Sequence, residues 1–303
     1  MNVHTVGMVG LGNMGGRITR RLTAAGLRVV GHDTREGAAE QAGAVPAPSL
    51  AEVAEQAEVL LLSLPDSGVV ESVVLGDVGL LAHCRPGQVV VDLSTASPTS
   101  TRRLHDLLAE RKVELLDAGI SGGAAAAEKG TLTLMVGGSA EVLEGVRPVL
   151  EPFSAKVLHM GETGSGHTTK LLNNFLNAVS LAATAEVMVA GKRAGLDLHV
   201  LLDVLNASSG VNFATLNRFP RIVDGDYLEG GLSGRLMMKD VVLYVERLRE
   251  LGVPSLNASG PMSAFGLAAA LGYADSISNR VVDAIGDVAG GVRLHNDAEQ
   301  KGQ

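Results

Sequence analysis

The stretch that decides the fold runs from residue 161 to residue 195 and reads GETGSGHTTKLLNNFLNAVSLAATAEVMVAGKRAG. Its glycines at 161, 164 and 166 predict a loop, and nothing then breaks a helix before Gly191. A helix over about His167–Ala194 would span roughly 40 Å, at about 1.5 Å per residue. Most of its faces are apolar or small, so we expect it to be buried.

Two polar residues lie near the start of this helix, and their presence on a buried helix has to be explained. Lys170 and Asn174 are four residues apart and therefore lie on one face. Burying a lysine without a partner is costly and lowers its pKa. A lysine in that state can act as an acid or base near neutral pH, so Lys170 is a candidate for that role.

The chain before this helix alternates between strand and helix patterns. Val3–Val9 reads as a buried strand, a glycine-rich loop follows it, and apolar residues then recur at helical spacing. A second strand, Leu27–Gly31, ends close to Asp33. A G-x-G-x-x-G loop between strand and helix, with an acidic residue about 20 positions on, is typical of dinucleotide binding. The loop residues that we assign to the cofactor are Gly10, Leu11, Gly12, Asn13, Met14 and Gly15. The alternative is a merely tight strand–helix turn.

The choice of cofactor depends on two residues after the second strand. A carboxylate at Asp33 favours the free ribose 2′-hydroxyl of NAD and repels the 2′-phosphate of NADP. Arg35 complicates this interpretation because its guanidinium could bind that phosphate. We predict NAD, with NADP as the alternative.

Further candidate site residues follow later strands. The patterns predict strands at Val59–Leu64, Gln88–Leu93, Val113–Asp117, Leu132–Val136 and Lys156–Met160. Ligands bind at the carboxyl ends of strands in such sheets, where Leu64, Pro65 and Thr95 lie. Ordinary turn and cap chemistry is the alternative for these residues. Ser121, Gly122 and Gly123 would expose successive backbone N–H groups suited to a carboxylate, unless they form a plain flexible turn.

The predicted fold is α/β. A Rossmann-type doubly wound sheet over residues 1–163 is followed by an all-α domain over 164–294, which the long helix opens. The helical patterns of this second domain cover His167–Ala194, Leu198–Ser208, Asn212–Val223, Leu236–Leu251, Pro254–Leu271 and Ser276–Val288. Residues 295–303 are polar, and we expect them to be disordered.

Composition narrows the possible partners and location. A net charge of −8 argues against nucleic acid or an anionic membrane as a partner. Cys84 is the only cysteine and the chain begins without a signal-peptide pattern, so we expect a cytoplasmic protein without an internal disulfide. The histidines are never paired at metal-ligand spacing, so we expect no metal.

Five ordered segments resemble the β-hydroxyacid dehydrogenase family, which includes 3-hydroxyisobutyrate dehydrogenase and tartronate semialdehyde reductase. They are GLGNMG at 10–15, DLST at 92–95, SGG followed by GTLTLMVGG within 121–138, GSGHTTKLLNN at 164–174, and Lys239–Asp240. Without the resemblance, a charged pair such as Lys239–Asp240 is more often a solvated stripe of a helix. One departure is Gly119–Ile120, where the family commonly has Pro-Val; we expect Gly119 to loosen the backbone before the substrate loop.

The resemblance implies an oxidoreductase that moves a hydride between a nicotinamide cofactor and a small 3-hydroxy acid, or the matching semialdehyde or oxo acid. Lys170 would be the general acid/base. The substrate would be held by Ser121, Gly122, Gly123, Asn174, Lys239 and Asp240. The nicotinamide half of the cofactor would meet Leu64, Pro65, Thr95 and Lys239. The rival hypotheses are an imine reductase of related fold, which usually lacks the lysine, and a catalytically idle cofactor-binding scaffold.

We also expect a homo-oligomer, most simply a dimer, with a tetramer as the alternative. Apolar residues are spread around the axis of the long helix: Leu172, Phe175, Leu176, Val179, Leu181, Val187 and Met188. One small helical domain would leave some of them in water, at about 25 cal/mol per Å² of apolar surface. The resemblance also implies dimers or tetramers.

Overall fold

The computed structural model describes residues 3–295 of the 303-residue chain. The chain divides into two compact units, Met1–Leu171 and Leu172–Gln303. The boundary that we predict between residues 163 and 164, and the function of each domain, stay predictions. Of the tail expected to be disordered, residues 296–303 lie outside the described residues.

The first unit is built on one eight-stranded sheet. Its strands are β1 (Thr5–Val9), β2 (Arg28–His32), β3 (Val45–Pro46), β4 (Val59–Leu62), β5 (Val89–Asp92), β6 (Glu114–Ser121), β7 (Leu132–Gly137) and β8 (Ser154–Gly161). Their order is β3-β2-β1-β4-β5-β6-β7-β8, and only the β6–β7 pair is antiparallel among the described strands. The carboxyl ends of β1, β2, β4, β5 and β6 therefore share one edge of the sheet.

Helices cover both faces of this sheet. They are α1 (Gly15–Ala24), α2 (Ala38–Gln41), α3 (Leu50–Gln56), α4 (Ser67–Leu75), α5 (Leu80–His83), α6 (Pro98–Ala109), α7 (Gly123–Lys129) and α8 (Ala140–Leu150). Alternate strand residues enter different cores. Leu61 packs in the core that contains Ile18 of α1, and Leu60 in the core that contains Val53 of α3. Strands buried on both sides explain the continuous apolar runs of the sequence.

The second unit consists of helices. They are α9 (Ser165–Arg193), which begins in the first unit, α10 (Leu198–Asn206), α11 (Phe213–Asn217), α12 (Phe219–Ile222), α13 (Gly234–Glu250), α14 (Ser259–Ala270) and α15 (Val281–Val288). The predicted class, a Rossmann-type sheet followed by a helical domain that opens with a long helix, is confirmed.

Three helices of the second unit differ from the prediction. The helix expected over 212–223 is two helices, because Pro220 lacks an N–H and its ring disfavours helical backbone before it. The helix expected from Pro254 begins only at Ser259. The helix expected from Ser276 begins with a 3₁₀ turn at Ser278–Arg280.

The long helix α9 is buried on part of its circumference only. Phe175, Leu181 and Met188 lie in the core of the second unit, as expected. Leu176, however, is 66% exposed, and Leu172 and Val187 are also exposed. The expectation of a helix buried on most faces is therefore wrong for this stripe, whereas its exposure agrees with the expectation that one helical domain leaves part of α9 in water.

Candidate active site

The glycine-rich loop after β1 has the geometry that a pyrophosphate site needs. Gly10 has φ +87°, and a Cβ atom on it would lie 2.4 Å from the carbonyl oxygen of Ser63. A Cβ atom on Gly15 would lie 2.0 Å from the carbonyl oxygen of Gly10. Both positions therefore require glycine. Nothing lies within 4 Å of a Cβ built on Gly12, which leaves open space for a ligand against the backbone.

Asp33 ties the end of β2 to this loop. Its carboxylate accepts hydrogen bonds from the backbone N–H of Leu11 at 2.6 Å and of Arg35 at 2.8 Å. The Arg35 guanidinium donates to the carbonyl oxygen of Leu11 at 3.0 Å. Both Asp33 and Arg35 therefore hydrogen-bond to the backbone of Leu11, within the glycine-rich loop.

A cavity of about 210 Å³ lies beside the loop, and its lining includes Gly12, Asn13, Arg17 and Arg35. Arg17 pairs with Glu128, with 3.3 Å between Nε and Oε2. Open space over Gly12 and a cationic lining both suit an anionic dinucleotide, so the residues present fit the expected cofactor.

The ends of β4 and β5 are joined by one serine. The backbone N–H of Leu64 donates to Ser94 Oγ at 3.0 Å, and the N–H of Ser94 donates to Asp92 Oδ1 at 3.0 Å. Pro65 is exposed and Thr95 half-buried at the same sheet edge. The structure therefore places Leu64, Pro65 and Thr95 on the edge that carries the glycine loop.

The Ser121 loop is shorter than predicted. Residues from Ala118 to Ser121 are not a loop but the end of β6, which pairs with β7 through Ile120↔Leu134 and Ser121↔Thr133. The turn itself is formed by Gly122 and Gly123, with φ +123° and +68°. The weak strand propensity of Ala118–Gly119 hid this extension, and pairing with β7 overrides it.

The first turn of α9 is fixed by a buried carboxylate of β6. Asp117 is fully buried and accepts the backbone N–H of Gly164 and of His167, each at 2.7 Å. The His167 ring is also buried, with Nδ1 2.8 Å from Thr101 Oγ1. A side chain from the sheet thus accepts two of the N–H groups at the start of the helix.

Glycines let α9 approach the sheet closely. A Cβ atom on Gly166 would lie 2.4 Å from the carbonyl oxygens of both Asp117 and Met135. A Cβ atom on Gly119 would lie 2.5 Å from Lys170 Cβ. The expectation that Gly119 loosens the backbone is therefore wrong. Gly119 is a regular strand residue that leaves room for the lysine stem.

Lys170 is brought close to the end of β6 by this contact. Its side chain is buried, with 9% of the residue exposed. Gly119 and Ser121 are two residues apart in β6 and so face the same side of the sheet. The stem of Lys170 therefore crosses the strand on the side that Ser121 also faces.

Asn174 belongs to a polar cluster within the second unit. Its Nδ2 donates to Asp240 Oδ2 at 2.5 Å, and Lys239 Nζ lies 3.2 Å from Asp240 Oδ1. Asp240 is 1% exposed. The pair is therefore not a solvated stripe, and the structure brings Asn174, Lys239 and Asp240 together.

Sequence reasoning missed a second polar cluster in this unit. The Arg218 guanidinium donates to Asn279 Oδ1 at 2.7 Å and to Asn177 Oδ1 at 3.0 Å. Burial lowers the pKa of Arg218 to about 10. No motif surrounds Arg218, so only the three-dimensional contacts reveal it.

Two negative findings concern residues 3–295. No group of three or more histidine, cysteine, aspartate or glutamate side chains in that range could hold a metal ion. Nor does it include a helix that is long and apolar enough to cross a bilayer.

Comparison with known families accounts for both halves of the chain. Residues 5–161 match the NAD binding domain of 6-phosphogluconate dehydrogenase. Residues 164–285 match the family described as NAD-binding of NADP-dependent 3-hydroxyisobutyrate dehydrogenase. The NAD-dependent L-serine dehydrogenase of Pseudomonas aeruginosa is 38% identical over 89% of this chain and 94% of its own.

Solved structures agree with these matches. The 3-hydroxyisobutyrate dehydrogenase of Mycobacterium tuberculosis with L-serine has a TM-score of 0.85 at 31% identity, covering 94% of this chain and 99% of its own. The chain belongs to the β-hydroxyacid dehydrogenase family and is an NAD(P)-dependent hydroxyacid dehydrogenase, as the sequence resemblance predicts. An imine reductase from Pseudomonas sp. covers 94% of this chain and 100% of its own, but at 19% identity and a TM-score of 0.61 it shares the fold alone.

Proposed function

We propose that Lys170 is the general acid/base of a dehydrogenase acting on a small 3-hydroxy acid or the matching semialdehyde or oxo acid. The observation that carries this proposal is the buried stem of Lys170, which passes over Gly119, two residues before Ser121. A bound nicotinamide supplies hydride acceptor and donor chemistry at its C4 position. During oxidation, Lys170 Nζ takes the proton of the substrate hydroxyl; during reduction it returns a proton to the carbonyl oxygen.

The remaining site residues position the substrate. The N–H groups at Ser121, Gly122 and Gly123 would bind the substrate carboxylate, because successive backbone donors form an anion-binding concavity. Asn174 would orient the reacting oxygen, and Asp240 holds the Asn174 amide by accepting one of its N–H donors. Lys239 would contact the cofactor and substrate. Such positioning accounts for much of the rate that enzymes achieve.

For the cofactor, we propose NAD. The loop residues Gly10, Leu11, Gly12, Asn13, Met14 and Gly15 would hold the pyrophosphate at the N-terminus of α1. Asp33 would accept the ribose hydroxyls, and Leu64, Pro65 and Thr95 would line the nicotinamide half. Arg35 lies next to Asp33 and is exposed, so it is the residue through which NADP could still be accepted.

We further propose a homodimer, with a homotetramer as the alternative, in the cytoplasm. Exposed apolar residues form one stripe of α9: Leu172, Leu176, Ala183 and Val187. Their spacings of four, seven and four residues keep them on one face of the helix. A second copy would remove this stripe from water, and two-fold association is the commonest arrangement. Residues 164–294 would thus serve substrate binding and oligomerisation.

A screen of hydroxy acids with NAD and NADP, followed at 340 nm, tests the proposed reaction. We expect NADH formation with at least one small 3-hydroxy acid. Reduction of cyclic imines without turnover of any hydroxy acid would favour the imine reductase alternative. Tight NADH binding without any turnover would favour the idle scaffold.

A further inference from the structure

Arg218 carries a positive charge that no carboxylate balances among the residues that the structure describes. It lies between α11 and α12 and is partly buried. Its two hydrogen-bond acceptors, Asn177 and Asn279, are neutral amides. Within residues 3–295, no carboxylate lies at ion-pairing distance from this guanidinium, whereas the partly buried Arg280 contacts Asp283 at 2.9 Å.

Most hydrogen-bonding capacity of this guanidinium is unused. An arginine side chain has five N–H donors in a planar fork. Asn177 and Asn279 each accept one hydrogen bond, which leaves three donors without an acceptor among the described residues. Burial without an opposite charge disfavours the charged form, and the pKa of Arg218 is lowered accordingly. An anion would satisfy both the donors and the charge.

The position of the guanidinium is fixed by its surroundings. Asn279 is 2% exposed, and its Nδ2 donates to the carbonyl oxygen of Tyr227 at 2.8 Å, which turns Oδ1 toward Arg218. The Phe213 ring lies under the guanidinium, 5.7 Å from its carbon to the ring centroid. A guanidinium held in this way loses little freedom when it binds a ligand.

Asn177 connects Arg218 to the polar face of α9. Lys170, Asn174 and Asn177 occupy positions i, i+4 and i+7 and so lie on one face of this helix. Seven residues of helix span roughly 10 Å. Arg218 therefore contacts the far end of a polar row that begins at the proposed acid/base.

We propose that Arg218 binds a second carboxylate of the substrate, so that the preferred substrate is a hydroxy dicarboxylic acid. The planar fork of arginine matches a carboxylate with two parallel hydrogen bonds. A substrate with a single carboxylate would leave this charge without an opposite charge and its three remaining donors to water. The inference rests on the proposed function, because it assigns a substrate class to the same site.

Two small acids test this assignment without any turnover. Glutarate and butyrate differ by one carboxylate, and their dissociation constants are measured by calorimetry on the full chain with saturating NADH. We expect wild type to bind glutarate at least about tenfold more tightly than butyrate, since hydrogen bonds between charged groups are roughly twice as strong as neutral ones. Arg218→Gln should lose this preference. Arg221→Gln, which removes an exposed arginine of α12, is the matched control and should keep it.

A second variant keeps Arg218 and places an opposite charge next to it. Asn177→Asp is isosteric and places a carboxylate beside Arg218, so it should also abolish the preference for glutarate. It guards against the possibility that Arg218→Gln fails to fold, which circular dichroism would reveal. Equal binding of glutarate and butyrate by wild type, or an unchanged preference in Asn177→Asp, would overturn the proposal.

Measurements of turnover distinguish a failure of this inference from a failure of the proposed function. Hydroxy acids with one carboxylate, with two carboxylates, or with a phosphonate in place of the second are compared by kcat/KM. We expect the highest value for a dicarboxylate; a phosphonate that exceeds it would overturn the carboxylate assignment. Absence of any turnover together with selective glutarate binding would contradict the proposed function and leave the anion site intact.

Discussion

The polar sites of the two units are formed by different chemical groups. In the first unit, glycines and backbone N–H groups dominate: Gly10 and Gly15 shape the loop, and Gly166 lets α9 reach the sheet. In the second unit, side chains contact one another: Asn174 with Asp240, and Arg218 with Asn177 and Asn279. A backbone site suits a ligand shared by a whole family, whereas a side-chain site can change with the substrate.

The largest effect should come from the one side chain assigned to proton transfer. Lys170→Ala should lower kcat by at least about 10²-fold, the usual contribution of a general acid/base. Lys170→Arg retains the charge but not a readily transferred proton, so it should be similarly impaired. Single-turnover assays at 340 nm measure this loss. Full activity in either variant would remove Lys170 from the chemistry.

The close approach of α9 to the sheet provides the next test. Gly166→Ala places a Cβ atom 2.4 Å from two carbonyl oxygens, so α9 must shift and the free energy of unfolding should fall by about 1–3 kcal/mol. Gly260→Ala is the matched control, because nothing lies within 4 Å of its added Cβ. The melting temperature and kcat should both fall in Gly166→Ala and should both stay unchanged in Gly260→Ala. Equal melting temperatures for both would mean that the approach is not tight.

A smaller effect is expected at the end of β2. Asp33→Asn removes the negative charge but keeps an oxygen acceptor for the backbone N–H of Leu11. The kcat/KM ratio of NADP to NAD should therefore rise by about tenfold, or 1.4 kcal/mol. If wild type already prefers NADP, Arg35 decides the cofactor and the assignment of Asp33 is wrong.

The exposed stripe of α9 should affect assembly more than catalysis. Leu176→Glu should dissociate the oligomer, because it places a charge in the proposed interface. Glu186, also exposed on α9, allows the matched control Glu186→Gln. Light scattering measures the mass; a wild type that stays at the 31.2 kDa of one chain contradicts the proposed dimer.

The contrast between the units also explains which site residues can be predicted from the sequence. The glycine loop and Asp33 follow from local chain geometry, so spacing alone indicates them. The strand character of Ala118–Ser121 depends on pairing with β7, which is not a local property. Arg218 gains its significance from Asn177 and Asn279, which are 41 and 61 residues away. No window of sequence includes those contacts.

Burial is harder to predict than secondary structure, because it too depends on contacts between distant parts of the chain. The length of α9 follows from the absence of helix breakers between residues 167 and 190. Which of its faces are covered depends on helices that come later in the chain, and they leave Leu176 exposed. Asp240 is the opposite case. Without the family resemblance, a charged residue in an apolar helix is more often solvated, whereas Asp240 is buried against Asn174.

The central claim is that backbone groups bind the cofactor, whereas side chains carry out the chemistry. The dissociation constant of NADH tests this claim most directly. It is measured by fluorescence titration on wild type, Lys170→Ala and Gly10→Ala. Gly10 has φ +87° and no room for a Cβ, so Gly10→Ala should weaken NADH binding by at least about tenfold. Lys170→Ala should bind NADH within about twofold of wild type, since general acid/base catalysis acts on the reacting proton and not on cofactor affinity. Loss of NADH binding in Lys170→Ala to the extent seen in Gly10→Ala would contradict the account.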